Sequence, residues 1–349
     1  MESRRGLRPR ITDVADLAGV SVASVSRVLN ESAVVADVTR AKVLDAVRDL
    51  GFSIDQRARA LSRQRSETIG VIVADVSNPF TAQVLKGIEI VARENSYGLF
   101  LSDSGEDAER ERKNLDAMLA QRIDGIVILP VTLHGVAFRP LVAQGIPIVC
   151  LDRYVDDLEL DTVVVDNVAA GAIAADTFLD ARHTMPGSIT VGSTTVGRDR
   201  LAGFEGEALR RGHPVDPAFV RTGNWTIESG YEQARILFTE VHAPTALFVQ
   251  NDPMTLGVLS ALREIGLRVP RDVSVIAFDD APHAHLLEPA LTTLRQPTNE
   301  LGSAAAEMLL DRVARGYTAA ARRLVLAPEL IERASTGAPP ARAGKKAAR

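Results

Sequence analysis

Two sets of residues in this 349-residue chain have the types and spacing to do chemistry. The first lies in ITDVADLAGVSVASVSRVLN, residues 11–30. There Val22, Ala23, Ser26 and Arg27 fall on one side of a predicted helix, away from the apolar Val25, Val28 and Leu29. Arg27 offers a planar fork of donors, and Val22 and Ala23 offer small apolar surfaces, a set suited to the edges of base pairs. A helical hairpin that only packs is the competing reading. The second set is spread along the chain: Asp75 and Asn78, Asp103, Asp152 and Arg153, Asp166 and Asn167, Asn251 and Asp252, Asp279 and Asp280. Each follows an apolar strand-like run. Ligands of open α/β sheets sit at the carboxyl ends of strands. One such residue alone is usually a helix cap; the repetition along the chain argues for a polar cleft.

Other chemistries lack their residues. GxSxG, GxGxxG, P-loop and HExxH patterns are absent. His283 and His285, the one close histidine pair, sit beside Pro282 and are expected to be solvated. Carboxylates are plentiful, but no pair stands out as the acid and base of a glycosidase. The single cysteine, Cys150, lies in the apolar run 146–151. It excludes an intramolecular disulfide framework and a multi-cysteine metal site, and reads as a buried, inert thiol. Neither a metal nor a cofactor is expected. No apolar run approaches the roughly 18 residues of a membrane span, and the basic N-terminus lacks the apolar stretch of a secretory signal. The expectation is a cytoplasmic protein with no membrane partner. The net charge of −5 is uneven: residues 1–66 hold 12 basic and 8 acidic side chains, leaving −9 on the remainder. A basic head on an acidic body suits a polyanion bound at one end.

The elements that must position these residues follow from periodicity. Thr12 reads as the N-cap of a first helix, with Asp13 at its positive end and Val14, Leu17 and Ala18 on its inner face. Gly19 is its left-handed stop, and Ser21 caps the second helix. Two short helices about a glycine turn describe a helix-turn-helix. A third helix is predicted over 37–50, with Val38, Ala41, Val43, Leu44 and Val47 apolar and Gly51 as its stop. Residues 55–67, DQRARALSRQRSE, carry four arginines and one large apolar residue, Leu61. They read either as a helix that folds on binding or as a charged linker. From Thr68 strands and helices alternate, with strand-like runs at 69–74, 97–101, 125–129, 146–151, 162–165, 189–191, 246–249 and 273–278. Near-continuous apolar strands with helical crossovers mean parallel sheets covered on both faces. The length predicts two α/β lobes with a ligand between them. Residues 1–10 and 334–349 read as disordered tails.

The chain resembles the lactose/galactose repressor (LacI/GalR) family of bacterial transcription regulators from residue 11 to about 333. The resemblance rests on TDVADLAGVSVASVSRVLN, VTRAKV, RARAL, SNPF followed by KGIE, CLDR, VVVDN, RDRLAGF, QNDPMTLGVLSALREIGLRVPRDVSVIAFDD and LTTLRQP, in that order. It implies a helix-turn-helix head with a hinge helix (1–66) and a core like periplasmic binding proteins. That core would have an N-terminal lobe of 67–164 plus 293–323 and a C-terminal lobe of 165–292 plus 324–333. It also implies a homodimer on a pseudo-palindromic, double-stranded operator. By the resemblance, Val22, Ala23 and Arg27 match base-reading positions; Ser21, Ser26, Asn30 and Thr39 match contacts to phosphates or neighbouring bases. Leu61 matches a hinge leucine that wedges into the minor groove, flanked by Ala58 and Arg59, which favours an easily unstacked central step.

In the core Asn78, Phe80, Asp152, Arg200, Trp225, Asn251, Asp279 and Gln296 match cleft positions. Their chemistry suits a polyhydroxyl ligand: carboxylates and amides bracket hydroxyls, Arg200 forks onto oxygens, and Trp225 or Phe80 covers an apolar sugar face. Asp279 is preferred to Asp280 because it directly follows Phe278. The chain departs from the family pattern at Ala36, where a capping serine is usual, and over 181–188. Thr81 stands where a second aromatic is frequent, and the tail lacks leucine heptads, so a dimer is expected. The function implied is a repressor controlled by a small sugar or sugar derivative. The alternatives are a family member answering to a co-repressor, a nucleobase or a protein co-regulator, a sugar receptor or transport component without DNA function, and a sugar-modifying enzyme.

Overall fold

The computed structural model describes residues 9–30, 35–52, 66–192, 194–239, 243–316 and 320–340. Chain contacts divide it into two compact units, 1–66 and 67–349.

The first unit holds α1 (Ile11–Ala18), α2 (Val22–Asn30) and α3 (Asp37–Leu50). Helix α1 starts one residue before Thr12, so Thr12 is not its cap. Arg10 takes that position, and its backbone N–H donates to Asp13 Oδ2 at 2.7 Å. Gly19 closes α1 at φ 65°, and the Ser21 Oγ accepts from the Ser24 N–H at the start of α2 at 3.2 Å. Val14, Ala15, Ala18, Val25, Val28, Val43 and Ala46 form the small core. Leu17, Val38 and Leu44, expected inside, are 54%, 69% and 45% exposed. Ala15, Ala18 and Ala46 share the inner positions with four valines, since three short helices this close leave little room for leucines. Ala36 provides no side-chain cap for α3. Ala58, Arg59 and Leu61 lie outside the described residues.

The second unit is built on two six-stranded sheets. The first contains β1 (Thr68–Val73), β2 (Gly98–Asp103), β3 (Gly125–Ile128), β4 (Ile148–Leu151), β5 (Asp161–Val165) and β11 (Arg323–Leu326), in the order β11-β5-β4-β3-β1-β2. The second contains β6 (Pro186–Val191), β7 (Val220–Gly223), β8 (Ala246–Val249), β9 (Ser274–Phe278), β10 (Thr292–Arg295) and β12 (Glu329–Ile331), in the order β12-β10-β9-β8-β6-β7. All neighbours run parallel except β12, which is antiparallel to β10. Crossover helices α4 (Pro79–Glu94), α5 (Ala108–Ala120) and α6 (Arg139–Ala143) belong to the first lobe, with α11 (Thr298–Arg315). Helices α7 (Asn167–Asp180), α8 (Thr195–Arg210), α9 (Ile227–Thr239) and α10 (Asp252–Ile265) cover the second. Strands β3, β4, β5 and β8 are buried throughout because helices lie on both faces. Helices α4 and α11 touch backbone to backbone: a Cβ on Gly87 would lie 2.2 Å from the Asn299 carbonyl oxygen.

The chain crosses between lobes three times, and two crossings fall later than expected. The first follows β5. The second follows β10, because Thr292–Leu294 pair with Ile276–Phe278 of the second sheet. The third lies between β11 and β12, because Arg323–Leu326 pair with Thr162–Val165 of the first sheet. Residues 293–295 therefore belong to the C-terminal lobe and 324–326 to the N-terminal lobe. The segment after 333 is not all tail. Ser335 is buried, its Oγ donates to the Val275 carbonyl at 2.7 Å and accepts from the Thr292 N–H at 2.7 Å. The Gly337 carbonyl lies 2.9 Å from His183 Nε2. Residues 341–349 are outside the described residues. Cys150 is fully buried, and burial pushes its thiol pKa up. No described helix is long and apolar enough to cross a membrane.

Candidate functional site

Helix α2 presents one polar-apolar face on the first unit. Val25 and Val28 are buried, so helical geometry turns Val22, Ala23 and Arg27 outward, and all three are exposed. Ser26 and Thr39 are half-buried beside them. The Ser21 hydroxyl is engaged in the cap and with Ser24 Oγ at 2.9 Å. Asn30 ends the helix.

The second unit carries a cleft at the carboxyl ends of both sheets. Asp152 follows β4, Trp225 follows β7 and Asp279 follows β9, and all three hold positive φ (65°, 76° and 76°). Such strain persists only where surroundings over-determine it. The Asp152 N–H donates to the Val163 carbonyl at 2.9 Å and the Asp279 N–H to the Leu294 carbonyl at 3.0 Å. The Trp225 carbonyl accepts from Asn251 Nδ2 at 3.1 Å. Asn78, Phe80, Asp152, Arg200, Trp225, Asp279 and Gln296 line one space together with Asp75, Glu106 and Arg153. Asn251 does not line it. It caps α10 and holds the Trp225 loop. Asn78 lines the cleft and also caps α4, accepting from the Phe80 N–H at 3.0 Å. An adjoining space takes in Gln83, Asp252, Asp280 and Arg295.

Charge in the cleft is fixed by neighbours. Arg200 is buried against Phe278, its guanidinium 3.4 Å from the ring centroid. It donates to Asn167 Oδ1 and to the Gln250 carbonyl, each at 2.7 Å. Burial pulls its pKa down to about 10, against the pull of Asp152 and Asp279. Burial pushes Asp279 up to about 6 although Arg200 and Gln296 oppose it, and Gln296 Nε2 donates to Asp279 Oδ1 at 2.7 Å. Burial also raises Asp152 against Arg153 and Arg200. Asp280 is committed elsewhere, to Arg333 at 2.7 Å and Thr293 Oγ1 at 2.8 Å. Three buried polar atoms of residues lining this space make no hydrogen bond: Asp152 Oδ1, Gln296 Oε1 and Arg153 Nε, the last lying 3.7 Å from Asp152 Oδ2.

Sequence reading placed Arg153 among the polar residues at strand ends but not among the cleft positions, and it passed over Glu106. The Arg153 guanidinium lies 4.3 Å from the Trp225 ring centroid and so bridges the lobes. Its signal was present in CLDR, beside Asp152. His283 is not simply solvated, because its Nε2 lies 3.0 Å from Asp252 Oδ1. At the rim the lobes also meet through Tyr154, whose hydroxyl donates to Asp199 Oδ2 at 2.8 Å, and through Arg198 with Asp156 at 2.7 Å. The two spaces enclose about 20 and about 40 Å³, against roughly 300 Å³ or more for a cleft that holds a small molecule. Neither of these two spaces as it stands holds a sugar-sized ligand. Among the described residues no group of His, Cys, Asp or Glu is placed to hold a metal.

Comparison with known proteins follows this division. Residues 10–54 match the profile of bacterial regulatory proteins of the lacI family, and residues 175–336 match a periplasmic binding protein-like domain. The chain is 34% identical over 334 residues to the HTH-type transcriptional regulator DegA of Bacillus subtilis (strain 168), covering 95% of this chain and 98% of that one. It is 33% identical over 326 residues to the ribose operon repressor of Escherichia coli (strain K12), covering 93% and 98%. Its structure is similar to that of the lac repressor dimer bound to operator and the anti-inducer ONPF, with a TM-score of 0.85, 28% identity, and coverage of 95% and 100%.

Proposed function

The chain belongs to the lacI family of bacterial regulatory proteins and is a DNA-binding transcriptional regulator rather than an enzyme, and on that premise we propose that it is a repressor which binds a palindromic operator as a dimer and releases it when a sugar fills its cleft. The observation that carries the sugar is the trio of buried atoms that make no hydrogen bond. Asp152 Oδ1 and Gln296 Oε1 are acceptors that a ligand's hydroxyls would satisfy, and Arg153 Nε is a donor for a ligand oxygen. Trp225 and Phe80 add apolar faces to the same space. Thr81 is buried where a second aromatic would stack on a base, which favours a sugar over a nucleobase.

The cleft draws on both lobes. Asp152 and Arg153 come from the first, and Arg200, Trp225 and Asp279 from the second. A ligand touching both changes the free-energy difference between open and closed lobes, which is what coupling to a second site requires. The lac repressor structure shows a dimer on operator, and the same arrangement here would set two copies of α2 into successive major grooves.

The test on the DNA side is Arg27→Ala. A bidentate arginine contact to guanine contributes about 1–3 kcal/mol of discrimination. Full-chain protein is used to select duplexes from a random pool. Wild type is expected to return an inverted repeat, and Arg27→Ala to lose preference at one position of each half-site. Unchanged selection by the variant would remove Arg27 from base reading.

A further inference from the structure

The sugar reading leaves open whether the ligand is charged, and the surroundings of Arg153 bear on it. A cleft with a free guanidinium would suit a phosphate or carboxylate. Neither arginine in this cleft carries an uncompensated charge. Both Nη atoms of Arg153 donate to Glu106, at 2.7 and 2.6 Å. Arg200 is held by Asn167 and Gln250 and faces the charges of Asp152 and Asp279. In the adjoining space Arg295 pairs with Glu329 at 2.5 Å.

The chain builds Glu106 into this place. Gly105 and Glu106, just past β2, hold φ 58° and 57°, two successive left-handed residues. The Glu106 N–H donates to the Ala74 carbonyl at 2.9 Å, and the Gly105 N–H to Asp103 Oδ1 at 2.6 Å. A non-glycine residue in that conformation is strained unless its surroundings hold it. Here the turn delivers a carboxylate to the only fork Arg153 has. Asp75, Asp152 and Asp279 line the same space.

Resting on the sugar-effector reading, we propose that Glu106 determines the charge of the effector: by pairing with both Nη atoms of Arg153 it leaves the cleft without an uncompensated cation, so the cleft takes an uncharged polyhydroxyl ligand and rejects sugar phosphates and sugar acids. A phosphate brings about −1.5 to −2 charge into a site whose carboxylates outnumber its guanidinium groups. Like charges held close in a desolvated site repel and disfavour binding. The orphaned Asp152 Oδ1 and Gln296 Oε1 require donors, which hydroxyls supply and phosphate oxygens do not.

The experiment uses full-chain protein and matched pairs: D-ribose with D-ribose 5-phosphate, D-glucose with D-glucose 6-phosphate, and D-galactose with D-galacturonate. Thermal shift identifies binders and calorimetry gives Kd. Wild type is expected to bind the free member of a pair at least about tenfold more tightly than the charged member. Glu106→Gln is expected to narrow that ratio by about tenfold, and Glu106→Gln with Arg153→Met to remove the gain. A wild type that binds the charged member as tightly as the free one overturns the assignment and leaves the sugar reading standing. So does a Glu106→Gln variant that changes both members alike. If no member of any pair binds either protein, the sugar reading falls and the assignment falls with it. If Glu106→Gln does not fold, the wild-type ratio decides alone.

Discussion

Replacing Asp161 by alanine is expected to destabilise the core by about 3–5 kcal/mol, the cost of leaving a buried charge without its partner. Asp161 opens β5 and is 1% exposed. Its carboxylate accepts from Arg312 Nε and Nη2, each at 2.8 Å, and from the Arg322 N–H and Nη2, each at 2.8 Å. It thus ties the end of α11 and the lead-in to β11 onto β5, reinforcing the β5–β11 pairing. Arg312 is itself 4% exposed, so the alanine variant buries a guanidinium without its main counter-charge. Burial pushes the Asp161 carboxyl up, but Arg312 and Arg322 outweigh it and hold it below the usual carboxylate range. A depressed folded pKa means the contribution is present above the unfolded value of roughly 4 and is lost as pH falls through the folded one. The acid limb of the stability curve should therefore flatten in the variant. Urea unfolding measures both effects, and a change below about 1 kcal/mol would show the cluster to be dispensable. Asp161→Leu with Arg312→Met should recover much of the loss, since an apolar pair of similar volume carries no desolvation cost.

Arg200→Ala is expected to raise the Kd for effector about a hundredfold or more, roughly 3 kcal/mol. The guanidinium is locked between Phe278, Asn167 and Gln250 and so needs no reorganisation to meet a ligand. Its loss also leaves Asp152 and Asp279 facing each other in a buried space. Lysine should not rescue, because a point charge lacks the planar fork that reaches two acceptors while stacking. Asp279 adds a pH signature. Its pKa is pushed up to about 6, so wild-type affinity for a hydroxyl donor should fall below pH 6 as the carboxylate is neutralised. In the same window the folded state binds more protons than the unfolded one, so stability should rise as pH falls from about 6 towards 4. Calorimetry at several pH values separates the two trends. Affinity for effector within threefold of wild type in Arg200→Ala would remove this residue from the site.

Much of the architecture was legible in the sequence because its signals are local. The glycine turn and the caps around Ser21 mark the helix-turn-helix, and continuous apolar runs mark strands such as β3, β4 and β8, which are buried on both faces. What escaped was set by partners far away in sequence. VRTG and TTLR carry too many polar residues to read as strands, and RLVL is a short edge strand that stays mostly exposed. β7 and β11 lie at sheet edges and β10 gains its place by pairing with β9. The lobe bounds that the resemblance implied cut through β10 and β11. Leu17, Val38 and Leu44 fit an apolar period yet face outward, because Ala15 and Ala46 suit the tight contact. Residues 335–337 look like tail until His183 and Ser274 provide partners. In the cleft, Asp152, Arg200 and Asp279 were legible at strand ends or by resemblance. Glu106 was not, because its role depends on two left-handed residues bringing it to Arg153.

The most direct measurement is the affinity of full-chain protein for its selected operator, read by anisotropy of labelled duplex during titration with the free sugar that raises the melting temperature most. The account predicts that this sugar weakens operator binding by about tenfold or more, within the usual range of coupling between sites, and that Arg200→Ala stays on the DNA at the same sugar concentration. A sugar that stabilises the wild-type protein yet leaves its operator affinity unchanged would contradict the claim that the cleft controls the helix-turn-helix.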